Sequence, residues 1–246
     1  MSTVLAHPED EFCVPGESSL DPLLCEQLSA IDSVNGSTAR LTEPVRDADG
    51  NIRSTADTLG LYVAIGVGHI LPGGLDHILF VLALFLTSIR WRDLFIQIST
   101  FTVAHTVTLG LTANGVISPA ASVVEPLIAA SIAFVAIENV FLKDMPKWRP
   151  ALVFAFGLLH GMGFAGFFGE LGLPDNQFWS ALIGFNIGVE IGQLSIVAAA
   201  LALVSLWRKL DGEVFEARYR PWLVRPASIA IGVVGAWWTI ERALSL

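Results

Sequence analysis

Long apolar stretches alternate with short polar links from about residue 57 to the end of the chain, whereas residues 1–56 are mostly polar. Several stretches reach roughly 20 residues, the length that a helix needs to cross the hydrocarbon core of a bilayer. The pattern predicts an all-α, polytopic helical membrane protein with a short N-terminal segment over 1–56 and a transmembrane bundle over 57–246. Six spans are predicted, near 57–89, 93–113, 121–142, 150–169, 178–206 and 224–244.

The first predicted span is interrupted at residues 68–77, which hold three glycines, a proline, two histidines and an aspartate. Irregular backbone at membrane depth is tolerated only where protein or a water-filled cavity covers it. Each half of this span has about 15 residues, or roughly 22 Å of helix, which is too short for a core of about 30 Å. The two halves are therefore predicted to form one discontinuous span.

Charge in the links predicts the orientation of the spans. Basic links alternate with neutral or acidic ones, and the positive-inside rule assigns the basic links to the cytoplasm. Both termini are then outside the cytoplasm, and 1–56 is an extracytoplasmic segment. The residues that make three links basic are Arg90, Arg92, Lys143, Lys147, Arg149, Arg208, Lys209, Arg218, Arg220 and Arg225.

Composition strengthens the membrane assignment. The chain is 53% hydrophobic and 15% charged, where soluble domains are about 25% charged. The net charge is −9, and ten acids against three bases put −7 of it in residues 1–56. No basic stripe indicates a nucleic-acid partner, so the predicted environment is the lipid bilayer. Cys13 and Cys25, the only cysteines, are predicted to form a disulfide in an oxidising compartment.

Ionisable residues inside the predicted spans are few, and four of the five histidines are among them. Such residues usually face a protein interior or a water-filled cavity and mark a functional site. At 1.5 Å of rise per residue, one midplane layer is predicted to contain four of them, with two more at the outer approach. The midplane residues are His77, His105, His160 and Glu190, and the outer ones are Asp76 and His69.

Helical spacing adds supporting polar residues. Asn186, Glu190 and Gln193 fall on one face of the fifth span, and Glu138 with Asn139 forms a second polar pair in the third. Glycines around His160 favour close approach of a neighbouring helix. Two carboxylates have alternatives: Glu125, which precedes a proline, could simply begin its helix. Asp76 could orient His77 or cap the half-helix that follows it.

Imidazole nitrogens with a few carboxylates suit nickel, zinc, copper, cobalt or iron better than magnesium or calcium. The six candidate metal ligands are therefore His77, His105, His160, Glu190, Asp76 and His69. Each histidine taken alone could instead be an interhelical hydrogen-bonding residue.

At these residues the chain resembles the HupE/UreJ family of bacterial membrane proteins, which is associated with nickel supply to hydrogenase and urease. The resemblance covers about 69–193, half of the chain. The family's histidine–aspartate–histidine signature, thought to serve metal transport, corresponds to His69, Asp76 and His77, with six residues between the first two where the better-known form has five. The matching stretches are 69–80, 101–109, 124–126, 138–139, 156–165 and 185–193. The resemblance implies a bacterial inner (plasma) membrane protein.

Three functions from different classes remain open at this point. The first is a permease for a divalent transition metal, for which the resemblance implies nickel. Its mechanism would be secondary transport, since the chain has no ATP-binding motif. The second is an intramembrane zinc hydrolase. No intramembrane serine has an obvious place in such a site, since the spans hold Ser99, Ser131 and Ser195 at scattered positions. The third is an accessory subunit of a metalloenzyme complex, and a homo-oligomer is compatible with each.

Overall fold

The computed structural model describes residues 53–142, 144–163 and 177–245, and every regular element in them is helical. Helix bounds follow the predicted spans to within a few residues wherever both are described, so the all-helical class is confirmed. The α-helices are α1 Thr55–Ile70, α2 Leu75–Thr87, α3 Trp91–Ala113, α4 Ala121–Phe141, α5 Arg149–Gly163, α6 Phe178–Asp211, α7 Phe215–Tyr219 and α8 Arg225–Leu244. A 3₁₀-helix, Gly212–Val214, precedes α7, and a π-helix, Arg220–Val224, follows it.

The break in the first apolar stretch separates α1 from α2 and bends their axes by 73°. Proline cannot donate the backbone hydrogen bond that would continue α1, and α2 begins after Gly74 with no side-chain cap. Gly74 lies so close to the end of α1 that an added Cβ would collide with the carbonyl oxygen of His69. The bend therefore folds the start of α2 back against the last turn of α1.

Glycines allow two pairs of helices to pack in parallel at short range. Gly66 of α1 lies against the backbone of Phe185 and Gly188 in α6, so a Cβ at either glycine would meet main-chain atoms. Gly161 of α5 likewise lies against the carbonyl oxygen of His105 in α3. Small residues let membrane helices approach this closely, and both contacts flank the polar interior.

A helical run from Phe178 to Leu244 contains α6, α7 and α8 but is not straight. Gly212 has a positive φ of 56°, and the Trp207 ring contacts those of both Phe215 and Tyr219. The chain therefore turns between α6 and α8. As a result α8 packs antiparallel to α4, as the bonds from Arg220 and Arg242 to the two ends of α4 require.

Within the described residues, three helical segments are long and apolar enough to cross a membrane, and the bent pair α1–α2 makes a fourth if it counts as one span. The three are Trp91–Ala113, Ala121–Phe141 and Phe178–Leu244. The chain is thus a helical membrane protein, while six spans and their orientation stay predictions.

Candidate metal centre

Four histidine rings lie together in the interior of the bundle, one each from α1, α2, α3 and α5. The ring of His77 is central: its centroid is 4.9 Å from that of His69, 5.8 Å from that of His105 and 5.1 Å from that of His160. His77, His105 and His160 are buried and His69 is half-buried. These four residues are called the histidine cluster below.

Aromatic side chains close the cluster off from the surrounding apolar core. Phe101 contacts the rings of His77, His105 and His160, at centroid distances of 5.8, 6.0 and 5.1 Å. Phe185 contacts His69 at 5.6 Å. Such a surrounding leaves few polar partners for the imidazole nitrogens, so the few hydrogen bonds that they do form carry much of the local chemistry.

Two histidines of the cluster are held by a polar side chain of another helix. His105 Nδ1 lies 3.0 Å from Oδ1 of Asn186 in α6, and His160 Nε2 lies 3.0 Å from Oγ of Ser131 in α4. The other ring nitrogens, His105 Nε2 and His160 Nδ1, are buried and have no hydrogen-bond partner within the described part of the chain. The same holds for His77 Nε2.

The imidazole nitrogens of the cluster are suitable ligands for a transition metal ion, but their arrangement allows pairs of ligands and not a set of three. Two imidazoles that share an ion at about 2.1 Å per nitrogen have ring centroids at most roughly 6.5 Å apart, and each pair formed with His77 meets this limit. Nevertheless, among the described residues no three His, Cys, Asp or Glu side chains converge well enough to hold a metal ion. Holding an ion with three ligands would therefore need side-chain or helix movement.

His69 is part of the cluster, although the sequence placed it apart from the midplane residues. Counting residues along one span assigned it to an outer position and His77 to the midplane, yet their rings are in edge-to-face contact. A straight-span calculation could not anticipate this contact, because the axes of α1 and α2 are bent by 73°. The depth of each histidine in the membrane stays a prediction.

The polar face predicted for the fifth span lies on α6 and contacts α3. Asn186 contacts His105, Glu190 Oε1 accepts a hydrogen bond from Ser99 at 2.6 Å, and Gln193 accepts one from Thr102 at 3.4 Å. Glu190 is half-buried. Glu190 therefore belongs to the polar contact between α3 and α6, and it does not form a three-ligand group with the described histidines.

Asp76 is bound by a residue that the sequence alone did not single out. Both of its carboxylate oxygens accept hydrogen bonds from Arg242 Nη2 of α8, at 3.1 and 3.0 Å. Arg242 also donates to the backbone oxygen of Glu125. Asp76 therefore does not cap α2, whose N-cap is Gly74. A carboxylate inside a predicted span needs a counter-charge, and this requirement was the sequence signal that could have pointed to Arg242. Glu125, half-buried, lies in the second turn of α4.

Glu138 and Asn139 belong to a second buried network near the other end of α4. Arg149 of α5 pairs with Glu138 Oε2 and donates to Thr87 Oγ1 at 2.8 Å. Asn139 accepts from Thr87 at 2.5 Å and donates to Ala83 O at 2.7 Å. Arg149 was predicted to be one of the charges of a basic link, but its side chain is fully buried. The carboxylate of Glu138 and the amide of Asn139, both on α4, make this burial possible.

Two other sequence predictions have different outcomes. Cys13 and Cys25, with their predicted disulfide, lie outside the described residues. The serines that looked scattered are not equivalent, because Ser99 and Ser131 contact candidate site residues whereas Ser195 bonds only to Gly192 O of its own helix among the described contacts.

Comparison with known proteins identifies the family. No curated protein and no solved structure matches the chain significantly. The family model described as HupE / UreJ protein matches residues 46–242, which include every described helix up to the last turn of α8 and the whole histidine cluster. Because this match covers most of the chain, the protein belongs to the HupE/UreJ family.

Proposed function

We propose that the protein is a secondary transporter for a divalent transition metal ion, with nickel as the favoured substrate. The family is associated with transport of nickel or cobalt, and this association favours a permease over a hydrolase or an accessory subunit. The observation that carries the proposal is the contact of His77 with three other histidine rings inside the bundle. Imidazole is a good ligand for nickel, and an intramembrane cluster of this kind is rarely structural.

His77 is the central metal ligand in this proposal, because it is the ring shared by all three close pairs. His69, His105 and His160 then supply successive second ligands as the ion passes. Glu190, held by Ser99, contributes negative charge on the α3–α6 side. Asp76 acts indirectly, since Arg242 already neutralises it, and orients the start of α2 on which His77 lies.

The proposed topology has six spans, the first of them discontinuous, in the bacterial inner membrane. Helix directions support it: α1 runs parallel to α6, α3 parallel to α5, and α8 antiparallel to α4. Odd-numbered and even-numbered spans of an alternating bundle would have these relative directions. Both termini lie outside the cytoplasm, which keeps Cys13 and Cys25 in an oxidising compartment.

The test is uptake of radiolabelled nickel by cells that express the protein or its variants. We expect His77→Ala and His105→Ala to reduce uptake to the level of cells without the protein. Val233→Ala is the control, because this side chain is 64% exposed on the outer face of α8 and should leave uptake unchanged. Uptake at the wild-type rate in both histidine variants, at equal protein abundance, would exclude the proposal.

Uptake should also depend on pH. A metal ion binds only the neutral imidazole, so protonation of the cluster competes with nickel. We expect uptake by the wild-type protein to fall as the medium is made acidic, and the fall should be reversed by a higher nickel concentration. A uniform loss that nickel cannot reverse would point to acid damage instead of competition at the histidines.

A further inference from the structure

The hydrogen bonds of Asn186 and Ser131 determine which nitrogen of His105 and His160 carries the proton. We propose that these two residues are positioning residues for metal binding: they hold His105 with a free electron pair on Nε2 and His160 with a free electron pair on Nδ1. The metal-binding part of this inference rests on the proposed function, whereas the tautomers themselves follow from the structure.

Asn186 can only accept a hydrogen bond from His105. Its amide nitrogen Nδ2 already donates to the backbone oxygen of Leu182 at 2.8 Å, so the oxygen Oδ1 is the atom that faces the ring, 3.0 Å from Nδ1. A carbonyl oxygen has no proton to give. His105 Nδ1 must therefore carry the proton, and in a neutral imidazole Nε2 is then the nitrogen with the electron pair.

Ser131 leads to the opposite tautomer at His160 by the same argument. A serine hydroxyl has a single proton, and that of Ser131 is donated to the backbone oxygen of Ile128 at 2.6 Å. Ser131 Oγ can therefore only accept from His160 Nε2, 3.0 Å away. His160 is then protonated on Nε2, and its electron pair is on Nδ1.

The two electron pairs are on the nitrogens that lack a partner. His105 Nε2 and His160 Nδ1 are both buried, with no hydrogen-bond partner among the described residues, and both rings contact His77. A buried acceptor without a partner has lost its hydration with nothing in exchange, and a bound cation would supply the missing partner. The reverse tautomers would instead present an N–H group, which cannot bind a metal ion.

A histidine that binds a metal ion usually donates a hydrogen bond from its other ring N–H to a polar group, which fixes the tautomer. Removing that group typically costs 10–100-fold in metal affinity. We therefore expect Asn186→Leu and Ser131→Ala each to weaken Ni²⁺ binding by about 10–100-fold. Ser131→Thr keeps a hydroxyl that can bond to the same backbone oxygen, and Asn186→Asp keeps the accepting oxygen. Both should retain the wild-type tautomers.

Nitrogen-15 NMR of histidine-labelled protein in lipid nanodiscs, stripped of metal, measures the tautomers directly. A protonated ring nitrogen and one with an electron pair have well-separated shifts, and five histidines keep the spectrum simple enough to assign by single His→Gln variants. We expect the Nδ1–H form of His105 and the Nε2–H form of His160 in the wild type. Each should become a mixture of forms in Asn186→Leu and Ser131→Ala, respectively.

Ser195→Ala is the matched control. Ser195 makes the same short bond to a backbone oxygen three residues earlier, at 2.6 Å to Gly192 O, but no described bond joins it to a histidine. This variant should change neither the tautomers nor Ni²⁺ binding, measured by titration of the purified protein. An effect equal to that of Ser131→Ala would mean that loss of a helix-bound hydroxyl, and not loss of the histidine contact, weakens binding.

The outcomes separate this inference from the proposed function. Reversed or mixed tautomers in the wild-type protein would overturn the inference even if Ni²⁺ binds. The expected tautomers with wild-type Ni²⁺ affinity in both Asn186→Leu and Ser131→Ala would overturn the positioning role. The expected tautomers in a wild-type protein that binds no Ni²⁺ would contradict the proposed function and the metal-binding part, while leaving the assignment of protons intact.

Discussion

Arg149 illustrates how much a single residue can differ from its appearance in the sequence. It stands at the start of an apolar stretch, two residues after the exposed Lys147 and next to Pro150, where a solvated charge is the ordinary expectation. In the structure its side chain is fully buried and paired with Glu138, with Thr87 and Asn139 completing its contacts. A buried charge is tolerated only when an opposite charge and further hydrogen bonds offset its lost hydration.

Removing one partner of this ion pair should be costly. We expect Arg149→Met or Glu138→Gln to lower the free energy of unfolding by about 3–5 kcal/mol, because the other buried group loses its counterpart. The double variant Glu138→Gln with Arg149→Met should cost clearly less than the sum of the two single changes. Denaturant titration of the purified protein in detergent micelles measures these differences.

The exposed pair of Arg208 and Glu216 provides the comparison for that experiment. Its side chains are 60% and 70% exposed, and pairs of this kind contribute about 0–1 kcal/mol. Glu216→Gln should therefore be nearly neutral. If it destabilised the protein as much as Glu138→Gln, or if the effects of the buried pair were simply additive, the buried network would not be a coupled unit.

At the scale of elements, the break between α1 and α2 decides how the histidine cluster is assembled. The glycines and proline at this place predict an interruption, and the interruption is present. What they do not predict is its angle, because the bend depends on how α1 packs on α6 while α2 packs on α4. That angle is what brings His69 into contact with His77.

Gly74→Ala tests the importance of this close approach. The new methyl group would collide with the carbonyl oxygen of His69 and lie 3.2 Å from the Cα atom of Ile70, both of which belong to the backbone and cannot move freely. We expect a loss of about 1–3 kcal/mol of stability, together with lower nickel uptake as α1 and α2 are pushed apart. Thermal unfolding and uptake assays of the same preparations measure the two effects.

Gly60→Ala is the control in the same helix. An added Cβ there has nothing within 4 Å, and alanine in a helix interior is favoured over glycine by up to about 1 kcal/mol. It should be neutral or slightly stabilising, with normal uptake. Equal losses at the two positions would mean that α1 is sensitive to any added methyl group, and the close approach at Gly74 would not be the cause.

At the scale of the whole molecule, cysteine labelling can test the proposed orientation of the protein in the membrane. With Cys13 and Cys25 replaced by serine, single cysteines at Val116 and Lys209 should report on opposite sides, since these exposed residues lie in links of opposite predicted location. On spheroplasts, a membrane-impermeant maleimide should label Val116→Cys but not Lys209→Cys. Both should be labelled after permeabilisation, and the reverse pattern would contradict the proposed topology.

Sequence alone determined the helical class, the ends of most helices, the interruption before α2 and the polar face of α6 that meets α3. These features depend on length, hydrophobicity and spacing along one helix, which the order of residues specifies directly. It also led to the family, and to the histidines as the residues of interest.

Only the tertiary structure decided which of these residues meet. The contact of His69 with His77, the pairing of Asp76 with Arg242, the burial of Arg149 and the bonds of Ser131 and Asn186 to histidines all join different helices. Such contacts depend on the rotation, bend and separation of packed helices. Those quantities are set by side-chain packing across the whole bundle, which spacing along a single helix does not contain.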